Sequence, residues 1–183
     1  MTMGAGCGLL STTTLLPSTA VAANPQAEEM NMMSIIQSLR SIGKPVCLDA
    51  ADRLAATTTQ NISFDLHLRQ AGLDRADARV LAEGIRRHTP LSNPFLRSFS
   101  ASFNPELGDD GAATLAAAFP KTMTELGLVG CSVGDAGGRA LIAWAKTAPD
   151  LQMICVEGNS FSAEVQSQFR DLAGQGGRPL IVV

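Results

Sequence analysis

Asp65, His67 and Ser100 are the side-chain types from which a nucleophile, its base and an orienting carboxylate are made. Asp65 and His67 are two residues apart in the alternating run SFDLHL, so both belong on one face of a strand. If that run lies beside LRSFSA, Ser100 falls next to His67 at the strand spacing of about 4.8 Å. This spacing does not specify the bond that orients a catalytic His, and no stretch reads as an oxyanion-binding loop. A solvated, partner-facing His67 is the expectation, and no catalytic residue is assigned. The Gly-rich GLVGCSVGDAGG has neither GxxxxGK nor GxGxxG spacing, so no nucleotide is expected there. His67 and His88 have no third or fourth ligand at metal-binding spacing. Cys7, Cys47, Cys131 and Cys155 form no CxxC pair. Neither a metal site nor a cofactor is expected, and the thiols are read as free, which suits the cytoplasm or another reducing compartment.

The elements that must position these residues repeat along the chain. SFDLHLRQAGLDRADARVLAEGIRRHT from Ser63, LRSFSASFNPELGDDGAATLAAAFPKT from Leu96, MTELGLVGCSVGDAGGRALIAWAKTAPD from Met123 and LQMICVEGNSFSAEVQSQFRDLAGQGGR from Leu151 share one spacing. Each begins with an alternating run, passes a polar turn and continues with helical periodicity, and a period in the twenties is the mark of a solenoid. The pairs Leu66 and Leu68, Phe99 and Ala101, Leu126 and Leu128, and Ile154 and Val156 should point inward. Ala71, Asn104, Cys131 and Asn159 then stand at the turn, where an amide or a thiol can satisfy crowded backbone groups. Leu73, Leu107, Val133 and Phe161 should plug that turn. Asp74, Asp109, Asp135 and Ser162 fall where helices should begin and would cap them. The pair Asp109 and Asp110 reads in the same way, as acids at the positive end of a helix dipole. Gly111 and Gly137 should let helices pass close to a neighbouring backbone.

These residues resemble the ribonuclease-inhibitor-like class of leucine-rich repeat, in the pattern LxxLxLxxN or C followed by an apolar residue, Asp, Gly and AxxLAxxL. The likeness is clearest in LRSFSASFNPELGDDGAATLAAAF and MTELGLVGCSVGDAGGRALIAWA. Ala71 in place of Asn or Cys, Asp77 and Val165 in place of Gly, and an extra residue in NPELGDDG depart from it. The resemblance implies an α/β leucine-rich-repeat solenoid, a short right-handed α/β horseshoe with parallel strands on its concave face and helices on its convex face. Similar repeats occur in ribonuclease inhibitors, tropomodulins, Ran GTPase activators, innate immune receptors and bacterial effectors, so recognition in general is what it implies.

Four segments follow. Residues 1–25 are a Ser/Thr/Ala-rich leader, expected to be flexible, with no Lys or Arg before Arg40. Residues 26–61 are a helical N-terminal cap or degenerate repeat, with an amphipathic helix up to Gly43 and Pro45, an extended piece at Val46 to Leu48, and a helix from about Asp49. Residues 62–178 hold the four repeats. Residues 179–183, within RPLIVV, should add a last strand with an open edge through which copies of the chain could associate.

A formal net charge of -3 and a pI near 5.3 offer no basic surface for a phosphate backbone, so nucleic acid is not an expected partner. No apolar run approaches the roughly 20 residues needed to span a bilayer, and no membrane partner is expected. The outward rows instead gather Asp65, His67, Arg69, Phe103, Glu125, Met153 and Glu157, a varied set that includes the aromatic and Arg types that anchor interfaces. The expected function is non-enzymatic protein recognition through the concave face, with Arg69 and Phe103 central and the partner unidentified. One alternative is a bacterial type III-like effector, secreted into a host cell, suggested by the leader's composition. Another is a GTPase activator resembling the Ran activators, with Arg69 or Arg75 as the electrostatic participant.

Overall fold

The computed structural model describes residues 25–56, 63–87, 95–174 and 179–183. Residues 1–24 and His88, for which the sequence raises expectations, lie outside the described residues. Two helices come first, α1 (Pro25–Ile42) and α2 (Pro45–Ala56), followed by β1 (Ser63–His67), α3 (Arg75–Arg87) and β2 (Phe95–Ser100). Then come α4 (Gly108–Ala116), β3 (Glu125–Gly127), α5 (Asp135–Ala145), β4 (Met153–Cys155), α6 (Ala163–Arg170) and β5 (Leu180–Val182). Gly43 ends α1 with φ +70, its amide bonded to the Leu39 carbonyl. Pro45 then opens α2 at the position where a missing N–H costs nothing. The extended piece expected at Val46 to Leu48 is therefore corrected to helix. There Cys47 is fully buried, and with Ala50, Ala51 and Leu54 it forms the apolar side of α2.

Among the described residues the five strands form one sheet in chain order, β1-β2-β3-β4-β5, every neighbouring pair parallel. The helices follow the same order, α3 against α4, α4 against α5 and α5 against α6, while α1 packs on α2 and α3. Alternation along each strand sends Leu66, Leu68, Phe99, Ala101, Leu126, Leu128, Ile154 and Val156 into one core with Leu81, Leu115, Leu141 and Phe169 of the helices. Each buried Leu or Phe contributes about 1.5–3 kcal/mol relative to exposure. An aromatic run crosses this core: Phe99 and Phe119 have ring centroids 4.9 Å apart, and Phe119 meets Trp144 edge-on at 5.3 Å.

The turns after the strands are held by side-chain amides. Asn104, fully buried, donates to the carbonyls of Leu68 (2.9 Å) and Ala101 (2.7 Å) and accepts from the Leu73 amide (2.9 Å). Asn159 repeats the arrangement between β3 and β4. It donates to Leu128 and Val156 and accepts from the amides of Cys131 and Val133. At the position between them the Cys131 thiol donates to the Ala101 carbonyl at 3.2 Å. Leu73, Leu107, Val133 and Phe161 plug these turns as expected.

Helix starts depart from expectation at two of the four positions. Asp74 caps α3, accepting from Ala76 and Asp77, and Ser162 caps α6, accepting from Val165. Asp109, however, lies inside the first turn of α4, and its Oδ1 accepts from the amides of Gly134 and Gly137 at the start of α5. Asp135 in turn accepts from the Ser162 amide ahead of α6. Each of these acids serves the following helix because consecutive helices pack side by side with their N-termini level. Asp110 is no cap either; it is exposed, with Arg75 at 3.8 Å. Gly137 is required by this closeness, since a Cβ there would lie 2.8 Å from Asp109 Oδ1 and 3.1 Å from its Cα.

Candidate functional site

The face of the sheet opposite the helices carries the outward residues of each strand. Register aligns Asp65, Ser98, Glu125 and Met153 in one row, and His67, Ser100, Gly127 and Cys155 in the next. Beyond the strand ends the ladder continues through Gln70 to Ser102, Phe103 to Val129 and Gly130 to Glu157, which brackets a third row of Arg69, Ser102, Val129 and Glu157. Asp65, His67, Arg69, Phe103 and Glu157 are exposed, whereas Glu125, Met153 and Cys155 are half-buried. Ser98 and Ser102 stand in these rows but are only 4% exposed. His67 Nε2 lies 3.4 Å from Ser98 Oγ, and Ser102 Oγ accepts from the Val129 amide, so neighbouring strands cover both.

Asp65 is held by Arg97, whose Nε and terminal nitrogen reach its two oxygens at 3.0 and 2.5 Å. A bulge makes this contact. Phe64 pairs with Leu96 and Asp65 with Ser98, so Arg97 is the extra residue of β2 and turns toward β1. The Asp65 carboxylate, bonded to the guanidinium and then acting through charge, raises the Arg97 pKa. Sequence reasoning missed Arg97, because strict alternation leaves no place for a bulge. Asp65 thus pairs with Arg97, His67 contacts Ser98, and Ser100 Oγ lies 3.3 Å from Ser102 Oγ. The geometry does not link Asp65, His67 and Ser100 into a proton relay.

Arg69 and Phe103 do come together. The Arg69 guanidinium carbon sits 4.3 Å from the centre of the Phe103 ring, a cation–π contact. Phe103 has φ +62, a left-handed conformation that costs a residue with a side chain about 1–2 kcal/mol. At the matching turn position Gln70 also has positive φ, and the next two turns use Gly130 and Gly158. The ring rests against Gly130, where a Cβ would meet it at 3.4 Å. Phe103 is thus a bulky aromatic, 38% exposed, in a conformation that Gly130 and Gly158 fill at the matching positions of the next two turns.

Between α2 and β1 lies an open cleft of about 620 Å³ lined by Pro45, Val46, Asp49, Arg53, Asp65, His67 and Arg69. Asp49 pairs with Arg53 within α2, and Asp65 with Arg97. Among the described residues no carboxylate lies within ion-pair distance of Arg69. Arg75 stands away from this cleft, at the start of α3 beside Asp110. On the opposite side, burial first, then Glu157 and Glu125, push the Cys155 thiol up, so it stays protonated near neutrality.

Among the described residues no group of three or more His, Cys, Asp or Glu is placed to hold a metal ion. No described helix is long and apolar enough to cross a membrane. At the far edge of the sheet, β5 pairs with β4 through Leu180 and Val182, leaving Leu180 57% exposed. In comparisons with known proteins, no protein-family model and no curated protein matches the chain.

Proposed function

We propose that this chain is a leucine-rich-repeat scaffold of the ribonuclease-inhibitor-like class that binds another protein through its open strand face, without catalysing a reaction. The parallel strands β1 to β4, each followed by a turn that Asn104, Cys131 or Asn159 braces and then by a helix, support the scaffold reading. The observation that carries the function is Phe103. It holds a positive φ, keeps about a third of its surface in solvent and stacks against Arg69. Folding alone favours glycine at such a turn, while aromatic and Arg side chains that lose little freedom on contact are the usual anchors of interfaces.

A photo-crosslinking amino acid placed at Phe103, with the same group at exposed Val80 on α3 as control, tests this reading. The expected result is a discrete crosslinked protein from the Phe103 position alone. Its affinity should then fall by roughly tenfold or more in the Arg69→Ala, Phe103→Ala double variant, as for an interface anchor. Equal crosslinking from Val80, or unchanged affinity in a folded double variant, would remove the strand face as the binding site.

A further inference from the structure

The row at the ends of the strands has a chemical order. It runs from Arg69 through Ser102 and Val129 to Glu157, one residue from each of four successive units. Neither terminal charge is neutralised: among the described residues Arg69 has no carboxylate, and Glu157 no cation, within ion-pair distance. Between them the row is small or apolar, with Ser102 buried and Val129 half-buried. Beside it Gly127 keeps the surface low, because a Cβ there would already stand 3.0 Å from Ser100 Oγ. Arg69 and Glu157 are therefore separated by three strand spacings, about 14 Å.

An extended peptide rises about 3.4 Å per residue, and its side chains i, i+2 and i+4 share one side. Residues i and i+4 are then about 14 Å apart, which matches the span of the row. We propose that the open face takes an extended partner segment of the form acid-x-apolar-x-base, crossing the strands with its carboxylate on Arg69 and its cation on Glu157. The middle apolar side chain would lie over Ser102 and Val129. This rests on the recognition reading above and adds the chemistry of the partner. Phe103 holds the guanidinium in place, so its N–H edge meets the carboxylate with less loss of side-chain freedom. Glu125 and Glu157 on the same face repel a polyanion, which favours a peptide of mixed charge over nucleic acid.

The probe is the blocked pentapeptide Ac-Asp-Thr-Val-Thr-Lys-NH2, whose β-branched residues favour extension. It is titrated into the full chain and followed by NMR at the Arg69 side chain and the Val129 and Glu157 amides. Controls are the uncharged Ac-Asn-Thr-Val-Thr-Gln-NH2, the short-spaced Ac-Asp-Thr-Lys-NH2 and a ten-nucleotide oligothymidylate. The charged pentapeptide should bind about tenfold more tightly than either peptide control, the scale of two solvent-edged ion pairs. Arg69→Gln and Glu157→Gln, both at exposed positions, should each cut that advantage to about threefold. Equal affinity for the neutral or short peptide, insensitivity to both substitutions, or tighter binding of the oligonucleotide would overturn the proposal. If the peptide fails while a crosslinked protein partner still requires Arg69 and Phe103, the recognition reading survives and the acid-to-base assignment alone is lost.

Discussion

Asp109 in α4 accepts a hydrogen bond from the Gly137 amide in α5 at 2.7 Å, and the same oxygen accepts from Gly134 at 2.8 Å. One carboxylate thus caps a helix to which it does not belong. Gly134, the N-cap residue of α5, has no side chain to serve itself, so the neighbouring helix supplies the acceptor.

This relationship separates two adjacent acids. Asp109→Ala should lower unfolding stability by about 1–2 kcal/mol, the cost of losing an N-cap acceptor. Asp110→Ala should change it by less than about 0.5 kcal/mol, because its contact with Arg75 is long and solvated. Urea titrations of the two variants check this, and equal losses would contradict the capping role.

Asn104→Ala should cost about 3 kcal/mol, because the Leu68 and Ala101 carbonyls and the Leu73 amide lose their partner inside the protein. Asn104→Asp conserves size yet cannot donate to either carbonyl, and should be at least as damaging. Leu128→Ala, at a fully buried position, should cost about 2–5 kcal/mol by leaving a cavity. Thermal melts equal to the parent's in these variants would contradict the assigned bracing and packing.

Phe103→Gly should leave stability within about 1 kcal/mol of the parent. Relief of the positive φ offsets the lost ring contacts and the greater freedom of glycine in the unfolded chain. The same variant should weaken partner binding. A large loss of stability by denaturant titration would mean that the aromatic serves the fold instead.

Alkaline pH should weaken the fold through Cys47. Burial first, then Asp77, raises its pKa from 9.0 to about 11, so the unfolded chain loses this proton before the folded one does. The contribution is complete below about pH 9 and fades as pH rises toward 11, by roughly 1 kcal/mol per pH unit. The Lys44 pKa, raised by its bond to Asp77, gives a loss in the same direction at higher pH. Cys47→Ala should flatten the stability profile between pH 9 and 11 in urea titrations. An unchanged slope would exclude the thiol as its source. At the acid end the sign reverses. The Asp74 carboxyl is lowered chiefly by the Asp77 amide, so its support is present above about pH 4 and is lost below.

Much of the architecture was readable from periodicity. Inward pairs two residues apart, polar turns and helical runs placed β1 to β5 and α3 to α6 in order. Such features are local, since a strand's alternation and a turn's need for an amide depend on near neighbours in the chain. What lay between units was not readable. The bulge that turns Arg97 to Asp65 is one case, the reach of Asp109 and Asp135 to the following helix another, and the burial of Ser98 and Ser102 a third. Each depends on how far apart two elements sit and which side chain fills the gap, distances that packing sets and that no stretch of residues encodes alone. Residue type and strand phase make Arg69 and Phe103 expected surface contacts, but their stacking arises because adjacent turns bring a guanidinium and a left-handed Phe within 4.3 Å.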